Sequence, residues 1–172
     1  MKFVTDAGVF SKTGIDYGSR LLIETMSLPA DARALDVGCG YGPIGLSAAL
    51  IAARGSAMLV DLNERALELA RENARLNGIF NVRVLQSDLF SALGGETFSH
   101  ILSNPPIRAG KAVVHRLFAE ARDHLESGGE LWIVIRKQQG APSALARLEE
   151  LYGDVRLMER EKGYHVFRAR KS

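Results

Sequence analysis

Short apolar segments alternate with longer segments of helical period along most of this chain. The apolar segments predict strands of a buried sheet, at 32–37, 57–60, 82–86, 98–102 and 131–135. The intervening periodicity, with Pro43 and Pro142 near two helix starts, predicts helices over 43–54, 63–76, 113–125 and 143–152. Strands that are apolar throughout belong to parallel sheets covered by helices on both faces. Two further strands, 155–159 and 164–169, joined at Lys162-Gly163, predict an antiparallel strand at the end.

The composition indicates one globular α/β domain over 1–172, with a cap helix and loop at 1–31 and the core at 32–172. The 172 residues suffice for one core, and 47% are hydrophobic against 24% charged. No apolar run approaches the roughly 18–20 residues that span a bilayer, and the first residues lack a signal peptide's apolar stretch. Cys39 is the only cysteine, so neither an intrachain disulfide nor a cysteine-rich zinc site can form. We therefore expect a cytoplasmic protein without a membrane segment; the scattered histidines indicate no metal site.

A glycine-rich loop, 36–45, leads from the first predicted strand into the first helix of the core. Gly40, Gly42 and Gly45 satisfy the G-x-G-x-x-G spacing of dinucleotide sites, so an NAD-dependent dehydrogenase must be considered. Asp36 argues against it, because a carboxylate would repel a diphosphate. The same carboxylate would attract S-adenosylmethionine, which carries an ammonium and a sulfonium group.

Two more acids follow the next two strands. Asp61 stands 19 residues after Gly42, where an acid can accept hydrogen bonds from ribose hydroxyls. Asp88 ends the third strand, on the same edge of the sheet, where it could accept from an adenine amino group. Each alone could be a turn residue, but three acids on one edge predict a nucleoside site.

The segment Asn104-Pro105-Pro106-Ile107 follows the fourth strand of the predicted core. Two prolines fix the backbone and remove two N–H donors, which leaves the Asn104 side-chain oxygen and the backbone carbonyls as acceptors. An exocyclic amine on a planar base is a poor nucleophile, since its lone pair is delocalised into the ring. Acceptors that hold its two N–H groups favour the pyramidal form, so this segment predicts an amine methyltransferase.

The glycine loop together with Asn104-Pro105-Pro106 resembles the class I (Rossmann-like) methyltransferase fold. More narrowly, the chain is similar to the methyltransferase small domain family, which includes the catalytic half of bacterial ribosomal RNA guanine-N2 methyltransferases. Its matching segments are Gly8-Val9-Phe10-Ser11, Ile15-Asp16-Tyr17-Gly18-Ser19, Val60-Asp61-Leu62-Asn63, Asn104–Ile107 with Gly110-Lys111, and the terminal Gly163-Tyr164 hairpin. The resemblance implies a mostly parallel seven-stranded sheet whose last strand is antiparallel.

The resemblance also implies roles for individual residues. S-adenosylmethionine would be bound by Asp36, Gly38, Gly40, Gly42, Asp61, Leu62, Asp88, Leu89 and Asn104, with catalysis at Asn104, Pro105, Pro106 and Ile107. Ile107 stands where the family usually has an aromatic that stacks on the target base, so Phe10, Tyr17 or Arg108 would supply a planar face. Lys111, Arg108 and Lys12 are candidates for phosphate contacts.

The most specific function implied is methylation of the exocyclic N2 amine of a guanine in ribosomal RNA. The formal charge of +2 permits a nucleic-acid partner. The alternatives are a protein glutamine-amide or adenine-N6 methyltransferase, and a non-catalytic RNA-binding or assembly module. Larger relatives carry a substrate-binding half that this chain lacks, so it either acts alone or relies on another subunit. The sequence leaves its oligomeric state open.

Overall fold

The computed structural model describes residues 3–5, 10–11 and 15–172, and the side chains of Phe10 and Ser11 are not among the described parts. Gly8, Val9 and Lys12 therefore lie outside the described residues. The strands are β1 (Phe3–Val4), β2 (Phe10–Ser11), β3 (Arg33–Val37), β4 (Ser56–Asp61), β5 (Val82–Gln86), β6 (Phe98–Ser103), β7 (Leu125–Arg136), β8 (Asp154–Glu161) and β9 (Tyr164–Arg170). The helices are α1 (Tyr17–Thr25), α2 (Pro43–Ile51), α3 (Glu64–Leu76), α4 (Lys111–Asp123) and α5 (Ala141–Tyr152).

Seven strands form one sheet in the order β5-β4-β3-β6-β7-β9-β8. The pairs among β3 to β7 are parallel, whereas β9 pairs antiparallel with both β7 and β8. The predicted Rossmann-like sheet is confirmed, including its antiparallel last strand. β1 and β2 pair antiparallel as a separate two-stranded sheet that the sequence did not predict. The order reverses between β3 and β6, and ligands of open α/β sheets bind at such a reversal, beyond the carboxyl ends of the strands.

Helices cover both faces of the sheet and bury two separate apolar layers. On one face, α1, α2 and α3 pack on the sheet through buried side chains such as Leu22, Leu46 and Leu67. On the other face, α4 and α5 pack on the sheet, with Leu117 and Phe118 of α4 fully buried. α3 follows its predicted pattern, since Asn63 caps its start by accepting hydrogen bonds from the N–H groups of the next turn. The layers fix the strand ends on which the site is built.

Two predicted boundaries were wrong, and each lies beside a glycine with a role in packing or pairing. The helix predicted over 43–54 ends at Ile51; Gly55, just after the predicted end, passes so close to Ala32 that a Cβ atom would meet the Ala32 carbonyl oxygen. Gly128 and Gly129 stand between the helix predicted over 113–125 and the strand predicted at 131–135. They lie inside the longer β7, where the N–H of Gly128 donates to Lys171.

The closing hairpin turns where the sequence placed the turn. Lys162 and Gly163 both have positive φ, 50° and 81°, as the two central residues of a type I′ hairpin turn require. Tyr164 pairs with Arg136 at the end of β7. The turn therefore lies at the same edge of the sheet as the carboxyl ends of β6 and β7.

Candidate active site

The glycine loop closes over the ends of β3 and β4 through its own N–H groups. Those of Gly38 and Cys39 donate to the Val60 carbonyl, each at 2.9 Å. The N–H of Gly40 donates to the Asp61 carboxylate at 2.9 Å. Gly38 and Gly40 have φ of 74° and 55°, and a Cβ atom on either would meet nothing within 4 Å. The loop thus turns a bare backbone toward open space, as close contact with a ligand requires.

Asp36 lies beneath this loop and is 1% exposed. One carboxylate oxygen, Oδ2, accepts from the N–H of Gly45 at 2.8 Å. The other, Oδ1, has no hydrogen-bond partner among the described residues. Burial raises the pKa of Asp36 to about 7, against the opposing effect of the Gly45 hydrogen bond.

Gly45, the third glycine of the predicted motif, lets α2 pack closely on the sheet. A Cβ atom there would lie 2.5 Å from Cγ of Leu59 and 3.0 Å from Cβ of Asp36.

Asn73 on α3 holds the glycine loop from the other side. Its side-chain amide, 0% exposed, donates to the Tyr41 carbonyl at 2.9 Å and to Val4 at 3.0 Å.

A cavity of about 440 Å³ opens beside the loop, within the range for small-molecule sites. It brings together seven of the predicted residues: Gly38, Asp61, Leu62, Asp88, Leu89, Asn104 and Pro106. Asp36, Gly40, Gly42, Pro105 and Ile107 do not line it. The first three act on its shape, because they set the turn of the loop and the start of α2.

The far end of the cavity contains a cation that the sequence did not point to. Arg116 on α4 lies with Nη2 3.3 Å from the Asp88 carboxylate, and its Nε donates to Glu120 at 2.6 Å. The helical spacing of Arg116 and Glu120 predicts an ion pair between them, but nothing in the sequence predicts that either residue contacts Asp88.

Leu89, which also lines the cavity, has φ of 51°, an uncommon conformation for a residue with a side chain. Its carbonyl accepts from the Ser87 hydroxyl at 2.7 Å.

Asn104 is held by the start of α1. Its amide nitrogen donates to the Ser19 hydroxyl at 3.1 Å and to the Asp16 carboxylate at 3.3 Å. Asp16 is also the N-cap of α1, accepting from the N–H and hydroxyl of Ser19, each at 2.9 Å. Since the nitrogen is occupied on this side, the amide oxygen is left for the cavity. In the sequence, the segment 15–19 was identified only as a match to the family, although an aspartate three residues before a serine is an N-cap pattern.

The two prolines form a tight turn after Asn104. Pro106 has φ −76° and ψ 78°, and the Pro105 carbonyl accepts from the N–H of Ile107 at 2.9 Å. This is an inverse γ-turn. A carbonyl oxygen has a second lone pair, so Pro105 can still accept one more hydrogen bond.

Three residues, Tyr17, Arg108 and Phe10, were predicted to supply a planar face for the target base, and they lie in different surroundings. Tyr17 packs on the closing hairpin: its ring centroid lies 5.4 Å from that of Tyr164, and Lys162 lies over its face at 5.0 Å. The Glu161 carboxylate, a hydrogen-bond partner of the Tyr17 hydroxyl, raises the pKa of Tyr17 to about 12. Arg108 is exposed after the proline turn. The side chain of Phe10, the third candidate for stacking, is not described.

The carboxyl edge of the sheet is divided by charge. Around β3, β4 and β5 lie the acids Asp36, Asp61 and Asp88. Beyond β6, β7 and the β8–β9 turn lie exposed cations, none of which pairs with a carboxylate in the part of the chain that the structure describes: Arg108, Lys111, Arg136, Lys137 and Lys162. Some arginines elsewhere are paired with carboxylates, such as Arg75 with Glu72 on α3. One half of the edge thus suits a cationic ligand and the other a polyanion.

Over residues 3–5, 10–11 and 15–172, no three or more His, Cys, Asp or Glu side chains lie together as a metal site would require. No helix within those ranges has the length and apolar character to cross a membrane.

Comparison with known proteins gives the same fold and family. A family model described as methyltransferase small domain matches residues 1–168. The chain is 54% identical over 171 residues to the uncharacterized protein YbxB of Bacillus subtilis (strain 168), covering 98% of this chain and 85% of YbxB. It is 34% identical over 166 residues to ribosomal RNA small subunit methyltransferase C of Cronobacter sakazakii, covering 94% of this chain.

The chain spans only 47% of that second relative. A solved structure of Thermus thermophilus 16S rRNA N2 G1207 methyltransferase, in complex with AdoMet and guanosine, aligns with a TM-score of 0.81 at 26% identity. The alignment covers 96% of this chain and 46% of that protein. The chain therefore belongs to the methyltransferase small domain family and has the Rossmann-like fold of S-adenosylmethionine-dependent methyltransferases.

Proposed function

We propose that this protein transfers a methyl group from S-adenosylmethionine to the exocyclic N2 amine of a guanine in small-subunit ribosomal RNA, in the cytoplasm. The observation that carries the proposal is the anchored Asn104, whose amide nitrogen is bound to Ser19 and Asp16 and whose oxygen is left to accept. The substrate named for the Thermus thermophilus protein, which aligns over 96% of this chain, supports guanine as the base.

The residues around the cavity fit S-adenosylmethionine in shape and charge. Gly38 and Gly40 leave open space where a Cβ atom would project, so a ligand can lie against the backbone. Asp61 and Asp88 line the cavity as hydrogen-bond acceptors for ribose hydroxyls and an adenine amino group. The buried Oδ1 of Asp36, which lacks a partner among the described residues, suits a nearby positive charge. When bound, S-adenosylmethionine supplies a methyl group activated by its sulfonium.

Asn104 and Pro105 act on the amine that is methylated. Their two oxygens accept its two N–H groups, which turns the nitrogen lone pair out of the plane of the ring and toward the cavity. The same contacts stabilise the positive charge that develops on the nitrogen. Because the oxygens are fixed before substrate binds, they need little reorganisation during the reaction. Positioning of the two reactants supplies about 7–11 kcal/mol of the barrier reduction. The methylated nitrogen is acidic enough to lose its proton to water, so the mechanism requires no strong base.

The divided carboxyl edge favours RNA over a protein substrate. Five exposed cations without a carboxylate partner among the described residues lie beyond β6, β7 and the β8–β9 turn. Two of them, Lys162 and Arg136, also lie over aromatic rings, at 5.0 Å and 5.3 Å. Exposed cations beside aromatic rings are typical of surfaces that bind single-stranded nucleic acid. A glutamine-bearing protein would not need this concentration of positive charge.

Tritiated-methyl S-adenosylmethionine tests the proposal on two substrates offered together. Deproteinised small-subunit ribosomal RNA lacking its natural methyl groups is mixed with unmodified small-subunit proteins and the purified protein. Radioactivity that appears in the RNA and requires Asn104 supports the proposal. Radioactivity confined to protein favours the glutamine-amide alternative. Transfer to neither, with a folded protein that binds both RNA and S-adenosylhomocysteine, favours the non-catalytic RNA-binding module.

A further inference from the structure

A second cavity, of about 230 Å³, lies on the other side of the proline turn from the first. We call it the α4–α5 pocket. Its floor is apolar, formed by Ile107, Val114, Ile135 and Ala144, and its mouth carries Lys111, His115, Gln139 and Ser143. It shares no lining residue with the cavity that contains Asp61 and Asn104. The segment from Pro106 to Val113 therefore separates two pockets, one on each side of the active-site turn.

The α4–α5 pocket opens onto a wider groove between the same two helices. The groove, of about 470 Å³, shares Lys111, His115 and Ser143 with the pocket and adds Arg147 and Glu150. Arg147 is neutralised by Glu150 at 3.0 Å. Lys111 has no carboxylate partner among the described residues and continues the line of cations that begins at Arg108. A phosphate group at this mouth would meet an uncompensated positive charge.

The polar groups at the mouth suit the edge of a base. Gln139 is exposed, and its amide offers both donors and an acceptor. Burial, together with the charges of Lys111 and Arg147, lowers the pKa of His115, so its ring is neutral at neutral pH and also offers one donor and one acceptor. The His115 ring is stacked near Phe118, with centroids 6.0 Å apart, and its Nε2 lies 3.5 Å from the Ser143 hydroxyl.

We propose that the α4–α5 pocket binds an unstacked nucleobase that neighbours the target guanine in the same RNA strand. Ile107, Val114 and Ile135 would contact its face, Gln139 and His115 its polar edge, and Lys111 an adjoining phosphate. RNA is read in this way where its bases are unpaired and turned out of the stack. The target base needs Asn104 and the first cavity, so the second pocket serves recognition. The inference rests on the proposed RNA substrate.

Methyl NMR spectroscopy with labelled Ile, Leu and Val tests this without requiring activity. The protein is titrated with each 5′-nucleoside monophosphate, and with ribose 5-phosphate, at saturating S-adenosylhomocysteine. Saturable shifts of the Ile107 and Ile135 signals with at least one nucleotide, but not with ribose 5-phosphate, are expected. No shift at these two signals up to millimolar nucleotide would overturn the proposal. Equal shifts with ribose 5-phosphate would also overturn it, because they would indicate a phosphate site.

Two leucine substitutions on α5, one at the mouth of the α4–α5 pocket and one away from it, test the pocket directly. Ser143→Leu places a larger side chain at the mouth and should weaken nucleotide binding by at least about tenfold, the size of effect that loss of a well-placed contact group produces. Glu149→Leu on the same helix lines neither cavity and should leave binding unchanged. Equal affinity in the Ser143→Leu protein and the wild type would contradict the assignment.

Two other signals separate this proposal from the proposed function. Leu89 and Val113 line the first cavity and should shift with S-adenosylhomocysteine alone. If they do not, the methyltransferase assignment of the first cavity fails whatever Ile107 and Ile135 do. If they shift and Ile107 and Ile135 do not respond to nucleotides, only the second pocket is wrong.

Discussion

The side-chain nitrogen of Asn104 lies 3.1 Å from the hydroxyl oxygen of Ser19, across 85 residues of sequence. The contact joins the start of α1 to the end of β6 and determines which end of the amide faces the cavity. Without it, rotation of the amide by half a turn would present a donor where the proposed mechanism needs an acceptor. That mechanism therefore depends on a helix that contributes no group to the reaction itself.

Ser19→Ala should lower kcat by about tenfold, since loss of one net hydrogen bond is worth about 1 kcal/mol or more, while the affinity for S-adenosylhomocysteine stays unchanged. Thr25→Ala is the matched control. It also removes a hydroxyl from α1, but this hydroxyl donates only to the carbonyl of Leu21 in the same helix. Steady-state kinetics with RNA and calorimetry with S-adenosylhomocysteine measure the two quantities. Equal kcat in both variants would mean that the anchor is not needed.

Asn104→Ala should cut turnover by roughly 100- to 1000-fold, as loss of one preorganised polar contact does. Asn104→Asp should fall by a similar factor, although it keeps two acceptor oxygens, because its carboxylate would face the carboxylate of Asp16. Single-turnover rates at saturating RNA distinguish this from weaker binding. A wild-type rate in Asn104→Ala would refute the proposed role.

Asp61→Ala should weaken S-adenosylhomocysteine binding by about 1.5–3 kcal/mol, the scale of a hydrogen bond to a charged group. The same carboxylate accepts from the N–H groups of Gly40 and Asn63, at 2.9 Å and 2.8 Å, so the glycine loop should also loosen. Calorimetric titration gives the affinity, and hydrogen exchange at Gly40 reports the loop. Asp31→Ala, an exposed acid away from the loop, is the control; an unmoved dissociation constant in Asp61→Ala would remove Asp61 from the cofactor site.

The raised pKa of Asp36 makes stability depend on pH. Its pKa is about 7 in the folded state against 3.8 as the reference value, so between these values the folded protein holds a proton that the unfolded chain has lost. Stability should therefore fall as the pH rises from about 4 to about 7, by at most about 4 kcal/mol at about 1.4 kcal/mol per pKa unit. Urea unfolding of the ligand-free protein across this range measures the slope. Asp36→Asn should flatten it, and an equal slope in the variant would assign it to another group.

The exposed cations beyond β6, β7 and the β8–β9 turn should make RNA binding depend on salt. For a phosphate contact made by Lys111, Lys137 or Lys162, alanine substitution should reduce the slope of log affinity against log salt by about 0.7 on single-stranded RNA. Arg75→Ala removes a cation that is paired with Glu72 on α3 and should change neither slope nor affinity. Fluorescence anisotropy on a labelled fragment of small-subunit RNA, over a range of KCl concentrations, measures both. Unchanged slopes in all three lysine variants would exclude RNA from this edge.

The positions of the strands, most helices and the last turn depend mainly on nearby residues, and the sequence predicted them. The strands and most helices followed from apolar periodicity, and the turn at Lys162-Gly163 from its glycine. Helix ends were less predictable: the helix predicted over 43–54 ends at Ile51, and Gly55 beyond it makes a close contact with Ala32 that only the folded chain brings about. The expectation of a single domain with a cap at 1–31 stays a prediction.

The candidate site was predictable where residues lie at strand ends and not where they come from helix faces. Asp61 is the last residue of β4, whereas Asp88 and Asn104 follow β5 and β6, and parallel strands bring their carboxyl ends together. Ser19, Arg116 and Ser143 lie on helices whose positions over the sheet depend on packing. Their contacts with Asn104, Asp88 and His115 span 85, 28 and 28 residues, and no local spacing encodes them.

Mass spectrometry of nucleosides identifies which base receives the methyl group. Unmethylated small-subunit ribosomal RNA is incubated with the protein and S-adenosylmethionine carrying a deuterated methyl group, then digested completely. We expect deuterated N2-methylguanosine, absent when Asn104→Ala replaces the wild type. Deuterated N6-methyladenosine, or RNA without the label while protein glutamine gains it, would rule out methylation of guanine N2 by this protein.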